Sequence, residues 1–151
     1  MSLTEPLHHH HKHCDDLFAA AEAAIGTKDW KQGGVLMVEF AANLETHFRT
    51  EEEILFPAFE GATGMTGGPT QMMRFEHAQM RELVAQMTSA LESGDADTFG
   101  GAAETLLILM QQHNMKEENI LYPMCDRTLT PQADALGGVL RQRLGDACLT
   151  A

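Results

Sequence analysis

An all-α fold, an up-down-up-down four-helix bundle with a short fifth helix at the C-terminal end, is predicted by three observations in this 151-residue chain. The segment from His47 through Glu51 and Ile54 to Pro57 recurs, with the same internal spacing, from His113 through Glu117 and Ile120 to Pro123. The offset that carries His47 onto His113 also superposes apolar stripes of four- and three-residue steps over the remaining chain. No stretch shows the apolar-polar alternation of a half-buried strand. The chain therefore reads as a tandem of two helical hairpins.

Helix one carries Leu7, His11, Cys14, Phe18, Ala21 and Ile25 on one face. Gly26-Thr27-Lys28-Asp29 breaks that pattern and offers Asp29 as an N-cap for helix two. Helix two runs through Met37, Phe40, Leu44, His47, Glu51 and Leu55. It is expected to end near Pro57, because the residue before a proline avoids the α region, with room for a few residues of irregular helix beyond. The glycine-rich stretch from Gly61 to Pro69 joins the hairpins. Helix three follows with Met73, His77, Met80, Val84, Met87 and Leu91, which are the first stripe advanced by the same offset. Ser93-Gly94-Asp95 separates it from helix four, which carries Ala103, Leu106, Met110, His113, Glu117 and Leu121. Pro123 mirrors Pro57. Pro131 opens a tail whose Ala135, Leu136, Val139 and Leu140 suit the fifth helix, so the bundle is assigned to residues 1–130 and the tail to 131–151.

Composition agrees with one packed domain. Apolar residues make up 44% of the chain, enough for a core, yet no apolar run reaches the roughly 18 residues of a membrane span. The start lacks the basic and apolar regions of a signal peptide. Cys14, Cys125 and Cys148 form no CxxC pair, and an odd number argues against a disulfide framework, so a cytoplasmic location is expected. A net charge of −12 would repel nucleic acid and anionic membranes, and neither is an expected partner.

A His and a Glu four residues apart lie on one face of a helix and offer an imidazole and a carboxylate in one direction. Folding the stripes inward brings His11, His47, Glu51, His77, His113 and Glu117 to one place, as metal sites in bundles are built. Four imidazoles and two carboxylates suit two metals, each taking two His, with both Glu bridging and an oxo, hydroxo or water group completing the set. Nitrogen and oxygen ligands without thiolate point to iron, manganese or zinc, and open coordination positions favour iron. A Glu left without metal on such a stripe would be a costly buried charge, which argues against reading the two pairs as exposed surface pairs. His77 alone would suit a satisfied core histidine; its place in the constellation makes it a ligand candidate.

The order His, His-x-x-x-Glu, His, His-x-x-x-Glu on four successive helices resembles the hemerythrin-like, or HHE cation-binding, family over residues 7 to 124. The Glu-Glu-x-Ile-Leu-aromatic-Pro extension of both motifs carries the likeness further. The resemblance implies a non-heme di-iron centre in which His11, His47, His77 and His113 are terminal ligands and Glu51 and Glu117 are bridges. Oxygen-carrying hemerythrins use a fifth His four residues from a ligand on the third helix and an Asp late in the fourth. Here Met73 and Arg81 flank His77 at that spacing, and the last carboxylate is Glu117, which separates this chain from the oxygen carriers.

Several alternatives stand beside these assignments. His13 rivals His11, because a slight rotation of helix one exchanges them. His8 to His10 resemble a truncated purification tag. Glu52 and Glu118 lie about 100° off the ligand face, as surface residues or as partners that orient an imidazole N–H. Tyr122, paired with Phe56 by the repeat, is expected to pack. Met73, Met80 and Met110 are expected to line the pocket. No His-Glu-x-x-His, nucleophile elbow or phosphate loop is present. The expected function is binding or reduction of dioxygen, peroxide or nitric oxide, with an iron, oxygen or redox sensor or an iron store as the alternative. A sensor would need an unknown protein partner or a second copy of the chain, since no output domain is present.

Overall fold

The computed structural model describes residues 2–145, so Cys148 and the last residues of the expected tail lie outside the described residues. Helix α1 (Glu5–Gly26) and helix α2 (Trp30–Thr50) form the first hairpin. A π turn, Glu51–Leu55, carries α2 directly into α3 (Phe56–Thr63). The second hairpin pairs α4 (Pro69–Glu92) with α5 (Ala96–Lys116), and a second π turn, Glu117–Leu121, leads into α6 (Tyr122–Thr128). A 3-10 turn precedes α7 (Ala133–Leu144), the expected fifth helix. Among the described residues there is no strand.

The irregular part of the second helix lies before Pro57, not after it, and regular α-helix runs through the proline to Thr63, which corrects the boundary expected from sequence. Phe56 keeps helical angles, φ −62° and ψ −46°, and its N–H bonds the Glu51 carbonyl five residues back. That wider turn moves the carbonyl that a proline ring would strike in an α-helix, so the chain continues through Pro57 as the first turn of α3. The Glu52 carbonyl, five residues before Pro57, instead accepts Arg74 Nη1 at 3.2 Å. Pro123 likewise sits in the first turn of α6, after Tyr122 at φ −61° and ψ −44°.

Both hairpin turns use one device. Asp29 accepts the Gln32 N–H at 3.1 Å and Asp95 accepts the Thr98 N–H at 3.0 Å, so each caps the helix that follows. The residue before each cap is left-handed: Gly94 at φ 69°, and Lys28 at φ 64°. Gly94 therefore corresponds to Lys28 under the internal repeat. An L-residue in that region costs about 1–2 kcal/mol, partly offset by the freedom that glycine adds to the unfolded chain. Lys28→Gly is expected to stabilise the protein by about 0.5–1 kcal/mol, read as a higher urea midpoint with an unchanged slope.

The core forms two apolar blocks with a polar layer between them. One block holds Phe18, Phe40, Leu44, Phe48, Met80, Met87, Phe99, Leu106 and Met110. The other holds Leu7, Leu55, Phe56, Phe59, Met73, Leu121, Tyr122 and Cys125, and α7 closes it with Leu140 and Leu144. Along every long helix the sequence passes from one block to the other through a histidine. Cys14 and Cys125 are buried in different blocks. No helix among the described residues is long and apolar enough to cross a membrane.

Candidate metal centre

The polar layer contains all six side chains singled out in the sequence. Glu51, Glu117 and His77 are wholly buried, and His11, His47 and His113 expose at most 5%. Their ligand atoms fall into two groups, His11, His47, Glu51 and Glu117, and Glu51, His77, His113 and Glu117, with atoms in each group within 4.8 Å of one another. Both carboxylates belong to both groups. His13 belongs to neither and is only half-buried, with its ring 5.8 Å from that of His10.

Each of these imidazoles turns Nε2 inward and is held from behind at Nδ1. His11 Nδ1 donates to Glu118 Oε2 at 2.6 Å, His77 Nδ1 to Glu52 Oε2 at 2.7 Å, and His113 Nδ1 to Glu76 Oε1 at 2.8 Å. Glu52 and Glu118 thus act as orienting partners. Burial pushes the Glu52 carboxyl up, but His77 and Arg81 hold it down at about 2. His47 differs: its Nδ1 meets Nδ1 of His10 at 2.9 Å. Glu76 was not singled out in the sequence, and His10 only within a tag-like run, a reading that its complete burial against His47 corrects. Each precedes a stripe histidine by one residue, off the face that periodicity marks, and their equivalence under the internal repeat was the available signal.

Tyr122 does more than pack. Its hydroxyl donates to Glu51 Oε2 at 2.6 Å and lies 3.2 Å from Glu117 Oε1. Burial and the two carboxylates raise its ionisation well above the usual phenol range, so it stays a donor. Arg81 turns outward to Glu45 and Glu52, at 2.8 and 2.9 Å, while Phe48 stacks on His77 with centroids 4.1 Å apart. A groove of about 310 Å³, lined by Ala41, Leu44, Phe48, Arg81 and Val84, lies outside that ring. Met73 and Met80 bracket His77 from opposite blocks, and Met110 lies one turn before His113.

The donor set fits a cation. Glu51 Oε1, Glu117 Oε2, His77 Nε2 and His113 Nε2 are buried without a hydrogen bond. His77 Nε2 lies 3.1 Å from Glu51 Oε1, yet the two are misdirected for a hydrogen bond, as lone pairs converging on a common point would be. Buried polar atoms left unpaired cost about 1–3 kcal/mol each or more when charged. A metal ion at that point would satisfy several of them together.

Without metal, protons take that role. Burial disfavours charge on His11 and His77, but Glu117 and Glu118 push His11 up to about 10, and Glu51 and Glu52 push His77 up to about 9. Burial, with the neighbouring His47 and His13, lowers His10 to about 3, and burial likewise lowers His47. His11 and His77 therefore contribute stability that is complete below about 6.5, the unfolded value, and is lost as pH rises through 9 to 10. His10 and His47, buried neutral, contribute stability that is complete above about 6.5 and is lost as pH falls. The thermal midpoint of chelator-treated protein is expected to peak near pH 6.5 and to fall on both sides. A flat profile from pH 6.5 to about 9 would contradict the charge assigned to His11 and His77.

The family model for the Hemerythrin HHE cation binding domain matches residues 2–125 of this chain. No curated protein and no solved structure matches it.

Proposed function

The chain belongs to the hemerythrin HHE cation-binding family, and from that membership we propose that it is a non-heme di-iron protein that binds or reduces a small ligand such as dioxygen, peroxide or nitric oxide. The observation that carries this reading is the sharing of Glu51 and Glu117 between two four-residue groups. One ion would need only one such group. Two overlapping groups, each with its own pair of imidazoles, suit two ions bridged by two carboxylates. Iron, when bound, would supply the electrons and open coordination positions that small-ligand chemistry requires.

The residues of the chain prepare that site in three ways. Glu118, Glu52 and Glu76 fix the imidazoles with Nε2 pointing inward. The apolar blocks above and below exclude bulk water, which strengthens every electrostatic contact within the layer. Tyr122 holds a proton on its hydroxyl, 3.3 Å from His11 Nε2 and 3.5 Å from His47 Nε2, where a ligand that gains negative charge could accept it.

Elemental analysis of untagged protein purified without a metal column is the test. Two irons per chain, with rapid peroxide consumption or a ligand-dependent visible spectrum, is the expected result. Two irons with neither property would favour a sensor or iron store. Zinc, or no metal, would overturn the di-iron reading.

A further inference from the structure

The internal repeat pairs His11 with His77, and His47 with His113, and it should also pair the groups that hold them from behind. For His11 and His77 it does, since Glu118 and Glu52 occupy equivalent positions in the two halves and hold Nδ1 at 2.6 and 2.7 Å. For the other pair it does not. Glu76 holds His113 at 2.8 Å, and the position equivalent to Glu76 in the first half is His10. His10 is wholly buried, its ring plane is 11° from that of His47, and the two Nδ1 atoms are 2.9 Å apart.

Two nitrogens at that distance share one hydrogen. His47 Nε2 faces the layer, 3.6 Å from Glu51 Oε1, so an ion bound there leaves the proton on His47 Nδ1. His10 must then present its Nδ1 lone pair and carry its own proton on the buried Nε2. A carboxylate behind an imidazole draws on its N–H and makes the opposite nitrogen a better ligand; a neutral imidazole does this less.

We propose that His10 is a positioning residue that makes the two metal subsites unequal, leaving the His11 and His47 subsite weaker for a divalent ion than the His77 and His113 subsite. The inference rests on the two-ion reading above. A second departure from the repeat falls on the same subsite. Tyr122 places its hydroxyl 3.3 and 3.5 Å from the Nε2 atoms of His11 and His47, whereas its repeat mate Phe56 only stacks near His77, with centroids 5.8 Å apart. Lys116 pairs with Glu76 and Arg81 with Glu52, which tempers both charges, but each carboxylate keeps an oxygen on its histidine.

The test is anaerobic titration of the metal-free full chain with ferrous iron, followed by calorimetry and by Mössbauer spectra of enriched iron at one and two equivalents. The wild type is expected to bind two ions in steps separated by about tenfold or more, with distinct signals. His10→Glu is expected to tighten the weaker step and bring the signals together. Glu76→His, at the repeat-related position, is expected to weaken the tighter step instead, and it keeps the inference testable if His10→Glu does not fold by circular dichroism. Two equal steps in the wild type would overturn the inference while leaving the di-iron reading intact. So would a folded His10→Glu with unchanged step separation, or a Glu76→His that leaves the tighter step untouched. No iron uptake at all would overturn both.

Discussion

With two ions bound as proposed, Glu51→Ala is expected to lose both, with affinity falling by more than about 100-fold at each subsite, beyond what loss of an orienting partner alone costs. Glu51 is one of the two carboxylates that the groups share. Its Oε1 lies 3.1 Å from His77 Nε2 and 3.6 Å from His47 Nε2, and its Oε2 accepts the Tyr122 hydroxyl at 2.6 Å. Truncation withdraws a carboxylate from both groups and removes the shorter of the two carboxylate contacts of the Tyr122 hydroxyl in a dry layer. Metal per chain after gel filtration is the measurement, and retention of two ions would refute Glu51 as a bridge. His113→Ala, which touches only one group, is expected to keep one ion. Losing bound metal also removes its linked stabilisation, about 2.7 kcal/mol where free metal stands at 100 times its dissociation constant.

Phe40→Ala is expected to destabilise the protein by about 3–5 kcal/mol without changing its metal content. Phe40 is wholly buried and meets Phe18 edge to face, with ring centroids 5.4 Å apart. The aromatic neighbours cannot close around the cavity without leaving their rotamers. In a chain of this size such a loss lowers the thermal midpoint by about 10 °C or more. Phe40 precedes His47 by about two helical turns, about 10 Å along the axis, so the polar layer should keep its ligand geometry. A shift of only a few degrees in a melting experiment would show that this block collapses readily.

Much of this molecule is legible in its sequence because helical periodicity and an internal repeat report the same faces twice. The stripe through His77 and the stripe through His11 each have a second copy as control, which is how His11 could be preferred to His13 although both sit in a run of histidines. What periodicity could not show was anything off the stripes. Glu76 and His10 stand one residue before a stripe histidine, rotated about 100° from it, and reach their targets only by leaning across to a neighbouring helix. The π turns were hidden for a different reason. A proline is a strong stop signal inside an α-helix, but its force depends on which carbonyl lies beneath it, and one added residue in the turn moves that carbonyl away. Tyr122 was undervalued because its mate Phe56 suggested packing, while its hydroxyl reaches a carboxylate on a helix far away in sequence.

The near-twofold arrangement of the hairpins has a consequence for what a single chain can encode. Two copies of one hairpin, docked face to face, could assemble the same layer of four imidazoles and two carboxylates, and every residue would then be obliged to serve both halves alike. Joining the copies through the glycine-rich loop before α4 releases that obligation. Position 10 can differ from position 76, and position 56 from position 122. The covalent link thus lets the two sides of the polar layer differ, a freedom that two identical self-paired hairpins would lack.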